Sequence, residues 1–465
     1  MTTLGEYAKV QGGFAYKSKD FIGASEYRVL KIKNVRFGTI DYSEPAFVPK
    51  NIAESTINWK LKEGDILISM TGSGPNAPQS LVGRVARVWK NEPDAWFNQR
   101  VGRISLVDNK KIHPDLIFYW LSLPQNQDFL VANSSGSANQ ANISGKTIES
   151  LPTPIVDYEI SSAIAKIARE LDEKIILNTQ TNQTLEQIAQ AIFKSWFVDF
   201  DPVKAKIETL AAGGSADDAE LAAMSVISAK TIDELNSLKT SNPEAFNKLA
   251  QTAALFPKDL DNETGTPAGW NSGVIADIAK LNANSWTKKN RPEQVHYVDL
   301  SNTKNGRIET VTTYGFDEAP SRARRILNSG DTIIGTVRPG NRAFAFIGET
   351  EKPLTGSTGF AVLSPKEEFW TSFVYLATTN DDAIDEYARL ADGGAYPAIK
   401  PEVVADTPCV LPTKDIAQKF WQLTGAMLKK AHQARLENEE LAKTRDTLLP
   451  KLLSGEINVT SEVVE

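Results

Sequence analysis

The chain repeats itself, and this constrains its fold more than any other feature. Leu4-Gly5-Glu6-Tyr7-Ala8-Lys9-Val10 recurs as Ile275-Ala276-Asp277-Ile278-Ala279-Lys280-Leu281, 271 positions later. Leu30-Lys31-Ile32-Lys33-Asn34 with Gly38-Thr39-Ile40-Asp41 recurs as Val298-Asp299-Leu300-Ser301-Asn302 with Gly306-Arg307-Ile308-Glu309, offset 268. Gly64-Asp65-Ile66-Leu67-Ile68 matches Gly330-Asp331-Thr332-Ile333-Ile334 at 266, and an offset of 256 relates Ile143, Pro152 and Leu185 to Ile399, Pro408 and Leu441. An offset that drifts while the order holds means two copies of one fold with loops changed in length; unrelated matches would not stay in order.

Each copy has the same grammar. Short alternating runs such as Tyr27-Val29-Lys31-Lys33, Asp65-Ile66-Leu67-Ile68 and Val101-Gly102-Arg103-Ile104-Ser105-Leu106, broken by Gly, Pro and Asn clusters, predict a strand-rich domain. A few helices are expected in each copy, one of them at Pro114-Leu123 and at Phe369-Leu376 respectively. The apolar period then changes. One seam runs Ile160, Ile164, Ile167, Leu171, Ile175, Asn178, Asn182, Leu185, Ile188, Ile192, Trp196; the other runs Ile416, Phe420, Leu423, Met427, Ala431, Ala434, Asn438, Leu441, Thr444, Leu448, Leu452. Spacings of three and four sustained this far predict long helices over 159–197 and 415–453, each about 57 Å long at 1.5 Å per residue. Neither can bury its stripe alone, so the two are expected to pair antiparallel. Asn182 and Asn438 fall at equivalent seam positions, where a buried amide penalises register slips; a solvent-facing kink is the other reading.

The expected fold class is therefore α+β: two pseudo-symmetric strand-rich domains, at 1–157 and 270–412, with two long helices, at 158–200 and 413–457, packed as an antiparallel coiled coil. Residues 201–269 read as an acidic connector with one or two short helices, near Ala216-Ser225 and Asn242-Gln251, and 458–465 as a flexible tail. With 465 residues the chain holds about three domains' worth of material. Its one cysteine, Cys409, rules out an internal disulfide and a thiolate metal site, and fits a reducing compartment. The histidines, His113, His296 and His432, are too dispersed for a structural zinc site. The N-terminus lacks the layout of a secretory signal and no run of about 18 apolar residues occurs, so a soluble, cytoplasmic protein is expected.

The net charge of −7 hides an uneven distribution. Residues 1–157 carry 18 Lys/Arg against 15 Asp/Glu, whereas 201–265 carry 6 against 11. In 270–412 the basic residues bunch at Lys288-Lys289-Asn290-Arg291, Arg322-Ala323-Arg324-Arg325 and Arg338-Pro339-Gly340-Asn341-Arg342. Local clusters, not the global sum, decide whether a surface can meet phosphates.

Enzymatic signatures fail one by one. Gly145-Lys146-Thr147 has Gln140 where a phosphate loop needs glycine, and Gly72-Ser73-Gly74 lacks the third glycine of a dinucleotide loop. Asp94, Asp108 and Lys110 have the loose outline of a metal-dependent nuclease, against which stands an ordinary exposed turn. There is no Asn-Pro-Pro-Tyr or Asp-Pro-Pro-Tyr stretch of the kind that holds a flipped base for amino methylation. The chain is expected to carry no catalytic residue and no metal ligand.

The informative loops follow the Gly-Asp-strand element of each copy. The first offers Ser73, Asn76 and Gln79; the second offers Arg338, Asn341 and Arg342. Arg can fork onto guanine O6/N7, and Asn or Gln onto adenine N6/N7, in a major groove. Asn98, Gln99 and Arg100 in one copy correspond to the stretch holding Ser357 in the other, and Asn139, Gln140 and Asn142 correspond to the stretch holding Tyr396 and Lys400. Lys31, Lys33, Arg36, Lys288, Lys289 and Arg291 are candidate phosphate contacts, which position without specifying. Singly each is an ordinary solvated residue; as paired, divergent sets they outline two reading heads.

The residues also resemble a known family, the specificity subunits of type I restriction-modification systems. The resemblance covers nearly the whole chain and is carried by Gly64-Asp65-Ile66-Leu67-Ile68-Ser69, Leu185-Glu186-Gln187-Ile188-Ala189-Gln190, Pro267-Ala268-Gly269-Trp270 and, most specifically, two longer runs. These are Ile192-Phe193-Lys194-Ser195-Trp196-Phe197-Val198-Asp199-Phe200-Asp201-Pro202 and Leu448-Leu449-Pro450-Lys451-Leu452-Leu453-Ser454-Gly455-Glu456-Ile457. It implies two target-recognition domains alternating with helical regions, and double-stranded DNA as a partner. It also implies two methyltransferase subunits, which bind S-adenosylmethionine and methylate adenine, and restriction subunits that use ATP and Mg to translocate and cut. This chain would bind no cofactor itself. The connector is longer than the family pattern suggests.

In that reading 1–157 and 270–412 each take half of a bipartite site while the helices set the unread gap, through the pairing residues Ile164, Ile167, Leu171, Asn182, Leu185, Phe420, Leu423, Met427, Asn438 and Leu441. Two other functions stay open: a protein-interaction scaffold with two binding heads, and a nuclease built on Asp94, Asp108 and Lys110.

Overall fold

The Gly-Asp pairs that mark the repeat are tight turns in the computed structural model of the chain. Gly64 and Gly330 take left-handed backbone angles, φ +86° and +93°, which favour glycine. The aspartate that follows each one closes the turn: Asp65 Oδ2 accepts the Lys62 N–H at 3.0 Å, and Asp331 Oδ2 accepts the Asn328 N–H at 2.7 Å. Each turn launches a fully buried strand, Ile66–Ser69 or Thr332–Gly335. The structure describes residues 2–73, 82–108, 110–137, 140–394, 396–457 and 459. They form two compact units, residues 1–176 with 438–465, and residues 177–437.

In the first unit Ile66–Ser69 lies inside an antiparallel sheet ordered Ala8–Gly12, Val101–Leu106, Ile66–Ser69, Val85–Arg87. A second sheet places Arg28–Leu30 between Ala46–Phe47, antiparallel, and Ala95–Phe97, parallel. The second unit repeats both. Its antiparallel sheet runs Ala279–Leu281, Phe360–Pro365, Thr332–Gly335, Phe344–Phe346. Its other sheet places Gln294–Val298 between Thr312–Gly315, antiparallel, and Leu354–Ser357, parallel, and adds an edge strand, Ala323–Leu327. The same strand order and the same single parallel pair in both units make this one fold used twice.

Helices join the strands in each head, and the connector holds more of them than the one or two expected. Beside the helix placed from the sequence, each head has a second of similar length directly after it: Pro114–Ser122 is followed by Pro124–Ala132, and Thr371–Thr379 by Asp381–Leu390. Pro124 stands at a first helical position, where it costs nothing, because that N–H has no intrahelical partner to lose. The connector likewise holds four helices, Asp201–Ala211, Ala216–Ser228, Ile232–Ser241 and Pro243–Ala254. Its acidity has a local cause. Asp201, Asp217, Asp218, Asp233, Glu234 and Glu244 all sit in first turns, where carboxylates meet the positive end of the helix dipole. Ser215 with Asp218 and Thr231 with Glu234 close reciprocal caps. Buried Lys206 ties the group together, donating to Glu220 Oε1 at 2.8 Å and to the Ala253 and Phe256 carbonyls at 2.7 and 2.8 Å.

The long helices are Tyr158–Phe197 and Lys414–Ser454, and they pack antiparallel. In the first unit Ile164, Ala165 and Ala168 share a core with Leu449 and Leu452. Arg445 pairs with Asp172, and Asn438 Nδ2 donates to the Ile175 carbonyl at 3.3 Å. In the second unit Asn178 Nδ2 donates to Glu437 Oε2 at 2.8 Å, and further along Phe193, Trp196 and Phe197 stack about Phe420, the last at 4.8 Å.

The seam differs in detail from the expected one. Leu423 is 39% exposed, and the buried residues around it on that helix are Ile416, Ala417, Phe420, Thr424 and Leu428. Each helix packs against a head as well as against the other helix, so the stripe broadens beyond a heptad seam and takes in small residues. Ile164 is buried and Phe420 is buried, while Ile167, Leu171, Leu185, Met427 and Leu441 are half-buried. Asn438 makes its amide bridge; Asn182 keeps a buried Oδ1 with no hydrogen-bond partner, and Asn178, one turn earlier, bridges instead.

Candidate nucleic-acid interface

Two loops far apart in sequence meet at the same place in both heads. In the first unit Thr71–Gly72 leaves the buried strand and pairs with Gln140–Asn142, which folds back on Ser135–Ser137. Thr71 lies opposite Asn142, and its hydroxyl donates to Asn142 Oδ1 at 2.8 Å. A third segment joins them, since the Met70 N–H donates to the Arg100 carbonyl at 2.8 Å. Gln99, Arg100 and Gln140 are exposed there; Asn98, Asn142 and Ser73 are half-buried. Asn76, Gln79 and Asn139 lie outside the described residues.

In the second unit Val337 bridges Ala398, the pair equivalent to Thr71 and Asn142, and the Thr336 N–H donates to the Gly359 carbonyl at 2.8 Å, equivalent to Met70 and Arg100. The chain between Arg338 and Arg342 is sharply bent, with both arginines in left-handed conformations, φ +48° and +59°, around the short turn Pro339–Asn341. The two side chains go to different uses. Arg342 donates to Asn305 Oδ1 at 3.0 Å and to Asp381 Oδ1 at 2.6 Å. The Arg338 guanidinium lies over the Tyr396 ring, 5.0 Å from its centroid, and Tyr396 is itself 73% exposed. Asn341 and Lys400 are exposed alongside.

The remaining candidates scatter. Ser357 is buried at 1% exposure, with its Oγ accepting the Gly359 N–H, so it braces the turn beneath the surface and cannot reach a duplex. Lys33 is paired with Glu44 at 2.8 Å, Arg36 with Asp41 at 3.1 Å and Arg291 with Asp317 at 2.6 Å, while Lys31 sits over Phe21. Exposed Lys288 and Lys289 have no ion-pair partner among the described residues, and the Trp286 N–H, donating to the Arg324 carbonyl at 2.8 Å, holds their turn against the edge strand Ala323–Leu327. Arg324, stacked over Phe316, thereby joins them; only its place in a basic run marked it in the sequence. Nearby, burial would lift the Asp299 carboxyl, but the Ser301 N–H, the Tyr297 hydroxyl and the Arg322 guanidinium hold it below the usual carboxylate range.

The three nuclease candidates do other work. Asp94 pairs with Lys60, and Asp108 Oδ1 accepts the Lys110 N–H of its own turn at 2.9 Å. Among the described residues no group of three His, Cys, Asp or Glu could hold a metal ion, and no helix is long and apolar enough to cross a membrane.

Comparison with known proteins finds relatives that cover most of the chain. The family model described as the type I restriction modification DNA specificity domain matches residues 1–187. The chain is 32% identical over 412 residues to the type I restriction enzyme HindI specificity subunit of Haemophilus influenzae, across 85% of this chain and 87% of that one. It is 22% identical over 422 residues to the type I restriction enzyme MjaIX specificity subunit of Methanocaldococcus jannaschii, across 88% and 82%. The crystal structure of a type I restriction-modification S subunit from M. genitalium aligns over 98% of this chain and 96% of its own at 16% identity, TM-score 0.48.

Proposed function

The chain belongs to the specificity subunits of type I restriction enzymes, and from that premise we propose that its two heads read the two halves of a bipartite duplex DNA site. One observation supports this most strongly: equivalent loops meet at equivalent positions in both units, but their side chains differ. Thr71, Gln140 and Asn142 stand in one head where Val337, Tyr396 and Ala398 stand in the other. A scaffold kept constant with divergent tips is what reading two different sequences requires, because phosphate contacts position and base-edge contacts specify.

The chain itself does no bond chemistry in this proposal. It docks methyltransferase subunits, which hold S-adenosylmethionine and methylate adenine, and restriction subunits, which use ATP and Mg. The paired long helices set the unread gap between the half-sites. In the assembled complex, anisotropy titrations on a duplex carrying the genomic methylation motif should show tight, salt-sensitive binding that falls when either half is scrambled. Equal affinity for a duplex with both halves scrambled would refute the reading.

A further inference from the structure

We infer that one turn, kept in both heads, grips the phosphate backbone beside each half-site, through Lys19 in the first head and Lys289 in the second, with Lys17 and Lys288 beside them. This rests on the DNA-reading function proposed above and names what holds each head on the duplex; Lys17 and Lys19 were not among the phosphate contacts expected from the sequence. The two turns correspond. Tyr16-Lys17-Ser18-Lys19-Asp20 and Trp286-Thr287-Lys288-Lys289-Asn290 lie 270 positions apart, between the offsets of 271 and 268 that flank them. Both close in the same way. The Lys17 N–H donates to Asp20 Oδ2 at 2.7 Å, and the Asp20 N–H returns to the Lys17 carbonyl at 2.9 Å. The Thr287 N–H donates to Asn290 Oδ1 at 2.6 Å, and the Asn290 N–H returns to the Thr287 carbonyl at 3.3 Å. The aromatic residue ahead of each turn is anchored on a threonine: the Tyr16 hydroxyl lies 3.0 Å from that of Thr56, and the Trp286 indole N–H donates to Thr355 Oγ1 at 2.9 Å.

Each turn also springs from the end of its sheet where the reading loops meet. In the first head Gly12 faces Gly102, the Gly13 N–H donates to the Val101 carbonyl at 2.9 Å, and the Gln99 N–H donates to the Phe14 carbonyl at 2.9 Å. The chain thus enters the turn alongside residues 98–100. In the second head Leu281 faces Leu363 and the Asn282 N–H donates to the Val362 carbonyl at 2.7 Å, again toward the start of the strand Phe360–Pro365. The Trp286 N–H then holds the Arg324 carbonyl, in the strand paired with Leu354–Ser357. Lys17, Lys19, Lys288 and Lys289 are all exposed, and none has an ion-pair partner among the described residues, whereas carboxylates neutralise Lys33, Arg36 and Arg291. Tips that differ between the heads suit bases, which differ between half-sites. A turn that stays the same suits phosphate, which does not differ.

The test is fluorescence anisotropy on the complex with its methyltransferase subunits, titrated at several salt concentrations against a duplex carrying the mapped methylation motif. Lys17→Ala with Lys19→Ala should weaken binding and lower the salt slope by about 1.8, since each phosphate contact contributes about 0.9. The affinity lost between about 50 and 200 mM salt should then shrink roughly 12-fold. Lys288→Ala with Lys289→Ala should do the same, and neither pair should change the bases of the motif. Lys17→Arg with Lys19→Arg should keep the wild-type slope, which separates lost charge from a disturbed turn. Lys110→Ala with Lys111→Ala removes the same charge beyond the far end of the strand Val101–Leu106 and should leave the slope unchanged. A wild-type slope without Lys17 and Lys19, an equal fall without Lys110 and Lys111, or a motif altered at one position would overturn the inference while leaving the DNA-reading function intact. Wild-type binding indifferent to both salt and sequence would overturn both.

Discussion

Removing the guanidinium of Arg445 should loosen the long helices where they pair in the first unit. Arg445, 26% exposed, is matched with Asp172, whose side chain is only 8% exposed. Arg445→Met keeps most of the packing but leaves a buried carboxylate without its partner, a change that costs 3–5 kcal/mol at fully buried sites. Because Arg445 is partly in solvent, we expect the lower end, about 3 kcal/mol, or roughly 150-fold faster local opening.

The effect should depend on pH, with a definite sign. Burial already lifts the Asp172 carboxyl above its ordinary value, in spite of Arg445 beside it. Without Arg445 it rises further, so the folded form binds more protons than the unfolded form between the two values, and stability falls as pH rises across that window. The deficit of the variant should thus be largest at neutral pH and shrink once Asp172 is protonated. Hydrogen exchange, read by mass spectrometry on peptides covering 161–175 and 440–452 and corrected for intrinsic rates, measures it locally, without assuming that so large a chain unfolds in one step. The double variant Asp172→Asn with Arg445→Met should recover most of the protection. Protection in Arg445→Met equal to wild type, or a double variant as loose as the single one, would refute the pairing argument.

Other expected outcomes follow from the same contacts. Burial pushes the Glu92 carboxyl up to about 7, against the Trp89 N–H and Tyr42 hydroxyl that bond it, so the first head should lose stability as pH rises from about 4.5 to 7. Glu92→Gln should flatten that slope in thermal melts, and an unchanged slope would contradict the assignment. Phe420→Ala should cost about 3–5 kcal/mol and Leu423→Ala about 0.5 kcal/mol in denaturant titrations, since one is buried among Phe193, Trp196 and Phe197 and the other faces solvent. Replacing Lys288 and Lys289 by Ala should weaken DNA binding evenly across sequences and lower the salt slope by about 2; a changed methylation motif would instead make them base readers.

Much of this architecture was written in local pattern. The repeat was legible because the Gly-Asp turn needs a left-handed glycine and a capping carboxylate in both copies, and chemistry that strict leaves a mark. The long helices were legible from period alone, but their buried faces were not. Ala165, Ala168 and Thr424 are buried because each helix touches two neighbours, and a search for large apolar residues passes over them. Asn380, whose Oδ1 accepts the Ala383 N–H, announces the helix Asp381–Leu390 in the conventional way, whereas Leu123 caps its helix with no side-chain bond and gave no signal. The meeting of Thr71 with Asn142, and of Arg338 with Tyr396, depends on contacts more than fifty residues apart and could not be read locally. For the same reason composition ranked Arg338 and Arg342 equally, although Asn305 and Asp381 separate their roles.

The account stands on two heads that act independently, one on each half of the target. Its most direct test is a head exchange, replacing residues 270–412 with the corresponding stretch of the Haemophilus influenzae relative and mapping methylated adenines with the cognate methyltransferase subunits. The prediction is a motif in which one block changes, while the other block is retained. A motif in which both blocks change, or neither does, would contradict it.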